Sequence, residues 1–282
     1  MRTAVTGAAG FLGAAVAERL REAGHSVLGM TRATADITDR EAVRRVLNDF
    51  GAECVVHCAA IADIGTCERD HDAADAVNVG GTRNVAAACA GLDAVMVFIS
   101  SDQVYDYTRG EVLDERTPPR PRNHYGRTKV EGEIAVADAS ARHYIARIAW
   151  QYDCRAGGRG LWGLAEKAIR GEAKLTFVRG SRRSVNYVRD TADAIAAMAA
   201  GALPYGLYNV ASPNDMTEEE TYRLALFSAG GDARLAETAL VETLSAPVDL
   251  RAQPRSLALS GYDMPDVRRG LARCARDKAA GR

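Results

Sequence analysis

Tyr125 and Lys129 stand four residues apart. In a helix that spacing puts a phenol and an ammonium on one face, one turn apart. A free phenol titrates near about 10 and is a poor base at neutral pH, but a cation beside it stabilises the phenolate and lowers that value. Upstream, Ser101 follows the apolar run AVMVFIS (94–100), so its hydroxyl is expected at the carboxyl end of a buried strand. Together the three groups predict a site in which Ser101 holds a carbonyl oxygen and Tyr125 protonates it. A tyrosine lying over a lysine stem on a surface helix is the plain alternative for the Tyr–Lys pair alone.

The first thirteen residues, MRTAVTGAAGFLG, say what such a site would work with. Thr3–Thr6 reads as a buried parallel strand, Gly7 breaks it, and Phe11, Leu12, Ala15, Val16 and Leu20 recur at helical spacing. A strand, a tight glycine turn and a helix make a dinucleotide-binding unit. Gly7 supplies positive φ, Gly10 lets a pyrophosphate approach, and Gly13 allows close packing of helix on strand. The helix start at Phe11 and Leu12 faces the anion with free N–H groups and its positive end. With a nicotinamide bound there, hydride would reach the carbonyl carbon while Tyr125 delivers the proton.

Composition excludes several other classes. The net charge of −1 gives no reason to expect nucleic acid or an anionic membrane as partner. No apolar run is long enough to span a bilayer, and an opening core strand is not a signal peptide. The six cysteines show no paired or zinc-like spacing, and the five histidines are scattered, so no metal site is expected. The cysteines read as small core residues of a cytoplasmic protein.

Phe11–Ala23 is expected as a helix and Ser26–Met30 as the second strand. Thr31 and Arg32 follow it, where a carboxylate would bind the ribose hydroxyls of NAD. A hydroxyl and a guanidinium suit a 2′-phosphate, so NADP(H) is favoured, with NAD(H) the alternative. In Asp36-Ile37-Thr38-Asp39, Thr38 or Asp39 caps the helix Arg40–Phe50, leaving Asp36 to accept from an adenine amino group with Ile37 against the ring. A strand over Glu53–Ala60 ends in the small residues Cys58, Ala59 and Ala60, which leave room for a ligand. Residues 72–90 read as one helix with Asn78 inside it, either on the cofactor or as a bracket between helix and strand. Thr108–Asn123 reads as a long surface loop, Tyr125 as the start of the next helix, and Tyr144–Trp150 as a further strand.

The alternation of buried strands and helices predicts an α/β fold, a doubly wound parallel Rossmann sheet, with a smaller C-terminal substrate-binding lobe. The Rossmann domain is expected over residues 1–150, joined again by about 185–210, and the lobe over 151–184 and 211–282.

The order of glycine turn, strand ending in Ser, and Tyr-x-x-x-Lys resembles the extended short-chain dehydrogenase/reductases, in particular the dTDP-4-dehydrorhamnose reductases and relatives acting on nucleotide sugars. The resemblance covers nearly the whole chain. It implies cofactor contacts from Gly7, Gly10, Phe11, Leu12, Gly13, Thr31, Arg32, Asp36, Ile37, Cys58, Ala59, Ala60, Asn78, Tyr125, Lys129 and Ile148. It implies catalysis by Ser101, Tyr125 and Lys129, and substrate contacts from Ser101, Asp102 and Trp150. Arg179, Arg182 and Arg183 would clamp a substrate diphosphate, Arg182 foremost, or form a solvated basic edge. The chain departs from the family pattern at Gln151-Tyr152-Asp153 and near Asn186.

The function expected is NAD(P)H-dependent reduction of the keto group of a nucleotide-activated 4-keto-6-deoxy sugar in the cytoplasm, a homodimer being one possible assembly. An epimerase or dehydratase of the same superfamily is the alternative, as is a non-catalytic NADP-binding regulatory subunit.

Overall fold

The computed structural model describes residues 1–108, 113–155 and 157–282. Part of the expected loop Thr108–Asn123, and one residue of the glycine-rich segment 153–160, lie outside the described residues.

Strand β1 (Arg2–Thr6) is buried at every residue after the first, as a strand covered on both faces must be. It pairs in parallel with β2 (Ser26–Met30) on one flank and with β3 (Cys54–His57) on the other. β3 in turn pairs with β4 (Val95–Ser101), again in parallel, and β5 (His143–Ile148) follows. The later strands are short: β6 (Trp150–Tyr152), β7 (Leu175–Phe177), β8 (Arg182–Arg183), β9 (Val185–Tyr187), β10 (Gly206–Val210), β11 (Leu240–Glu242) and β12 (Asp249–Leu250). The main sheet has the order β10-β5-β4-β3-β1-β2, the doubly wound parallel sheet that the sequence predicts. The chain leaves β1 toward β2 and then crosses back to β3. The carboxyl ends of β1 and β3 therefore border the switch point where open α/β sheets leave a crevice.

The helices are α1 (Phe11–Glu22), α2 (Arg40–Phe50), α3 (Ile64–Arg69), α4 (His71–Ala74), α5 (Gly81–Gly91), α6 (His124–Ala139), α7 (Gly160–Ile169), α8 (Val188–Ala199), α9 (Glu218–Ser228), α10 (Ala233–Ala239), α11 (Arg255–Leu259) and α12 (Val267–Ala279). Asp39, not Thr38, caps α2, accepting from the N–H groups of Glu41 and Ala42. Thr217 caps α9 in a reciprocal capping box with Glu220. No helix among the described residues is long and apolar enough to cross a membrane.

Two expected elements come out divided. Residues 72–90 form α4, a wide π turn (Asp75–Gly80) and α5 rather than one helix. The apolar period hardly differs between these forms, and the widening sits at Asn78, whose bonds are described below. The run 144–150 splits because Trp150–Tyr152 changes partner and pairs with β9. Both stretches are apolar, so the sequence shows no boundary.

The described chain forms two compact units. One comprises Met1–Asp106, Thr117–Arg147 and Ala192–Tyr208, and the other Tyr107–Arg116, Ile148–Thr191 and Asn209–Arg282. In the first, Met30, Leu47, Val55, Val85, Met96 and Phe98 belong to one buried cluster around the sheet. In the second, β6, β7 and β8 pair in parallel with β9, β11 and β12, while α9 packs against α7 and α12.

Candidate active site

The glycine turn is sterically closed except toward its anion-facing side. Gly7 has φ +65°, and a Cβ there would lie 2.9 Å from the Ala59 backbone. A Cβ on Gly13 would lie 2.2 Å from the Gly7 carbonyl oxygen, so helix and turn meet only without one. Gly10 is exposed and opens α1, its N–H donating to the Gly7 carbonyl at 2.8 Å, with no side chain capping the helix. Phe11, Leu12 and Gly13 form the first turn behind it. A cradle that a Cβ would fill, ending on the positive end of a helix, fits a diphosphate.

The segment after β2 carries Thr31 and Arg32. The Arg32 side chain is 84% exposed, its guanidinium 3.9 Å from the Asp36 carboxylate. Asp36 Oδ1 accepts from the Thr38 N–H at 2.9 Å and the Thr38 hydroxyl at 2.8 Å, and these bonds hold its carboxyl below the usual range. That oxygen closes its own turn, leaving Oδ2 as the outward acceptor. Ile37 is buried against Gly81, where a Cβ would lie 2.6 Å from Ile37 Cδ1. Asn84 Nδ2 donates to the carbonyls of Ile37 and Thr38, tying this loop to α5. Nothing local in the sequence marks Asn84, since its partners lie more than forty residues away.

A directed line of hydrogen bonds joins the ends of β1 and β3 to the π turn. The Thr82 hydroxyl donates to the Asn78 carbonyl at 2.6 Å, so it can only accept from His57 Nε2, 3.1 Å away. His57 therefore carries its proton on Nε2, and the Thr6 hydroxyl donates to the bare Nδ1 at 2.7 Å. Thr6 Oγ1 in turn accepts from the Ala59 N–H at 3.2 Å, beside Cys58 and Ala60. Burial pulls the His57 imidazole down to about 3, with the Lys129 cation adding to the effect, so the ring stays neutral. The side chain of Asn78 continues the line. Its Oδ1 accepts from the Ile61 N–H at 2.8 Å, and Nδ2 donates to the Ile61 carbonyl and to Thr128 Oγ1, both at 3.0 Å. Asn78 is thus the bracket between helix and strand end.

Ser101 closes β4, buried, with its hydroxyl 3.2 Å from Asp102 Oδ1 and accepting from the Gln103 N–H at 3.2 Å. The Tyr125 phenol lies close enough to this hydroxyl to feel it as a partner. Two contacts dock the start of α6 on this turn. Asn123 caps the helix through the Gly126 N–H at 2.7 Å, and its Nδ2 donates to Gln103 Oε1 at 3.0 Å. Gly126 has no room for a side chain, since a Cβ would lie 2.3 Å from the Gln103 carbonyl oxygen. Sequence reading missed both Asn123 and Gly126. An Asn two residues before Tyr125, at the start of the expected helix, is the available signal for the cap.

Lys129 is one turn further along α6, buried, with Nζ 4.4 Å from the centre of the Phe98 ring. Burial pulls its ammonium down to about 8, against the charge of Glu133. The expectation that the lysine lowers the Tyr125 phenol is corrected here. Burial pushes Tyr125 well up, opposed by the neighbouring Ser101 hydroxyl and assisted by the Asp102 charge. Desolvation is the largest cause, Lys129 is not among those that lower the phenol, and the phenol keeps its proton at neutral pH.

The remaining candidates belong to the second unit. Ile148 ends β5 and Trp150 opens β6, both partly exposed. Arg183 lies over the Trp150 ring at 5.5 Å and pairs with Glu218 at 2.8 Å. Arg179 pairs with Glu242, and Arg182 donates to the Asp215 carbonyl. The three arginines are thus tied separately rather than as one cluster.

Known proteins resemble this chain along most of its length. A dTDP-4-dehydrorhamnose reductase of Mycolicibacterium smegmatis is 33% identical over 236 residues, 82% of this chain and 70% of that protein. A probable low-salt glycan biosynthesis reductase of Haloferax volcanii is 30% identical over 272 residues, 90% of this chain and 88% of that protein. The crystal structure of dTDP-4-dehydrorhamnose reductase from Bacillus anthracis in complex with NADP has a TM-score of 0.87 at 26% identity, covering 98% of this chain and 99% of that one. The resemblance read from the sequence is borne out. A model of the RmlD substrate binding domain matches residues 1–259, and the chain belongs to that family.

Proposed function

We propose that this protein reduces the keto group of a nucleotide-activated 4-keto-6-deoxy sugar with NADPH, in the cytoplasm. The observation that carries the reading is Ser101 beside the Tyr125 phenol, with Lys129 buried one helical turn away, in the same unit as the Gly7–Gly13 cradle. The relatives named as reductases and the NADP-bound structure support the reaction and the cofactor. The free cysteines support a reducing compartment.

A bound NADPH supplies the hydride. Gly7, Gly10 and Gly13 let its diphosphate reach the start of α1, and Arg32 offers a charge-assisted contact to the 2′-phosphate. Ser101 orients the carbonyl oxygen by donating to it. Tyr125 gives its proton to that oxygen as negative charge develops there, and the Lys129 ammonium stabilises the phenolate left behind. Trp150, Asp102 and Arg182 are assigned to the nucleotide sugar.

The test is NADPH oxidation followed at 340 nm against a panel of nucleoside-diphosphate 4-keto sugars. Stoichiometric oxidation with at least one of them supports the reading. Tightly held NAD in the purified protein with no net NADPH consumption indicates an epimerase or dehydratase. Cofactor binding without turnover of any keto sugar indicates the regulatory role.

A further inference from the structure

Behind Tyr125 and Lys129 lies a buried charged group that the proposed reaction leaves unused. Glu133 follows Lys129 by one turn of α6, and Arg147 comes from β5. Both side chains are almost fully buried, at 8% and 4% exposure. Arg147 Nε and Nη2 donate to the two Glu133 oxygens at 2.8 and 2.6 Å, a bidentate pair. Arg147 Nη1 donates to the Tyr105 hydroxyl at 2.9 Å, and the guanidinium lies 4.9 Å from the Tyr105 ring centre. The Ser100 hydroxyl donates to Glu133 Oε1 at 2.5 Å. The carboxylate thus joins the residue before Ser101, the helix of Tyr125 and Lys129, and, through Arg147, the residue that ends the Ser101–Val104 turn.

We infer that Glu133 is a positioning residue for this site: its carboxylate is the counter-charge of the Lys129 ammonium and the anchor that holds the end of β4 against α6. The inference rests on the catalytic reading of Ser101, Tyr125 and Lys129. Among the described residues the buried cations are Lys129 and Arg147; Glu133 is bonded to Arg147 and stands one helical turn from Lys129, whose ammonium its charge raises. The other titratable groups around Lys129 bring no negative charge at neutral pH. His57 is neutral, the Cys58 thiol is pushed up to about 12 by burial, the Cys67 thiol is also raised, and Tyr125 keeps its proton. Arg147 cannot release its proton, so without Glu133 the lysine would give up its own.

Lys129 can be read directly, because the chain's other lysines are only Lys167, Lys174 and Lys278. In protein labelled with 13C-lysine, the Lys129 signal is assigned by its absence from Lys129→Arg and then titrated by NMR. Glu133→Gln is expected to lower the Lys129 midpoint by about one pH unit or more. The alkaline limb of turnover should move down with it, giving about a tenfold loss above the new midpoint. Glu133→Asp, which keeps the charge, should restore the midpoint. If Glu133→Gln fails to fold because Arg147 is stranded, Glu133→Gln with Arg147→Met removes the counter-charge and the competing cation together, and the midpoint should still fall, by less than about one pH unit. An unmoved Lys129 midpoint in whichever of these folds overturns the inference. Full turnover by Lys129→Met instead overturns the catalytic reading and leaves the titration result standing.

Discussion

Asn78 Nδ2 donates to Thr128 Oγ1 at 3.0 Å, across fifty residues of sequence. Thr128 then gives its own hydroxyl proton to the Tyr125 carbonyl at 2.8 Å. The π turn and the loop at Ile61 are thereby fixed to the helix turn that carries both the phenol and the ammonium. Both Nδ2 protons of Asn78 and one acceptor site of Oδ1 are engaged within the protein, so its contribution to the site is to hold other groups in register.

Asn78→Ala leaves the Ile61 N–H and carbonyl and the Thr128 hydroxyl without this partner. The expected cost is about 1–3 kcal/mol of stability, measured by urea unfolding. Turnover should fall while KM for NADPH changes little, because α6 loses its register and the glycine cradle does not. A rise in KM at constant kcat would show that Asn78 serves the cofactor directly.

Gly126→Ala places a Cβ 2.3 Å from the Gln103 carbonyl oxygen, so the turn after Ser101 and the start of α6 must move apart. The expected loss is about 1–3 kcal/mol in stability, with a fall in turnover from the displaced Ser101 and Tyr125. Wild-type activity and melting temperature would show that the two elements tolerate separation.

His57 gives the protein an acid sensitivity with a definite sign. The ring titrates near about 3 when folded and near about 6.5 when unfolded, so the unfolded chain binds more protons between those values. The stability from the neutral ring is complete above about 6.5 and is lost as the pH falls toward 3, by up to about 1.4 kcal/mol per pH unit. His57→Gln should flatten the pH dependence of unfolding free energy between pH 6 and 4 by about one proton. An unchanged slope would place the acid sensitivity elsewhere.

The Arg32 side chain is largely exposed, and its tie to Asp36 is long at 3.9 Å. Such a pair adds little to stability and leaves the guanidinium available. Arg32→Ala should weaken NADPH binding by about tenfold and leave NADH nearly unaffected, as read by fluorescence titration of both. Equal losses for the two cofactors would remove the basis for NADPH preference.

What was legible in the sequence was local. The glycine turn between β1 and α1, the strand ending at Ser101 and the spacing of Tyr125 and Lys129 each lie within a few residues, where periodicity and turn chemistry speak directly. The π turn was not legible, because its cause is Asn78 meeting Ile61 and Thr128 from distant parts of the chain. The same holds for Glu133, whose partners Ser100 and Arg147 come from two other strands. The upward push on Tyr125 was also hidden, since the Tyr–Lys spacing announces a nearby cation and says nothing of the burial that sets the shift.

The most direct measurement compares wild type with Tyr125→Phe in the NADPH-oxidation assay, with NADPH binding followed in parallel. Loss of the phenol's proton should lower turnover of the keto sugar by at least about a hundredfold while the NADPH Kd stays within about twofold. Turnover by Tyr125→Phe at the wild-type rate would contradict the assignment of Tyr125 as the acid.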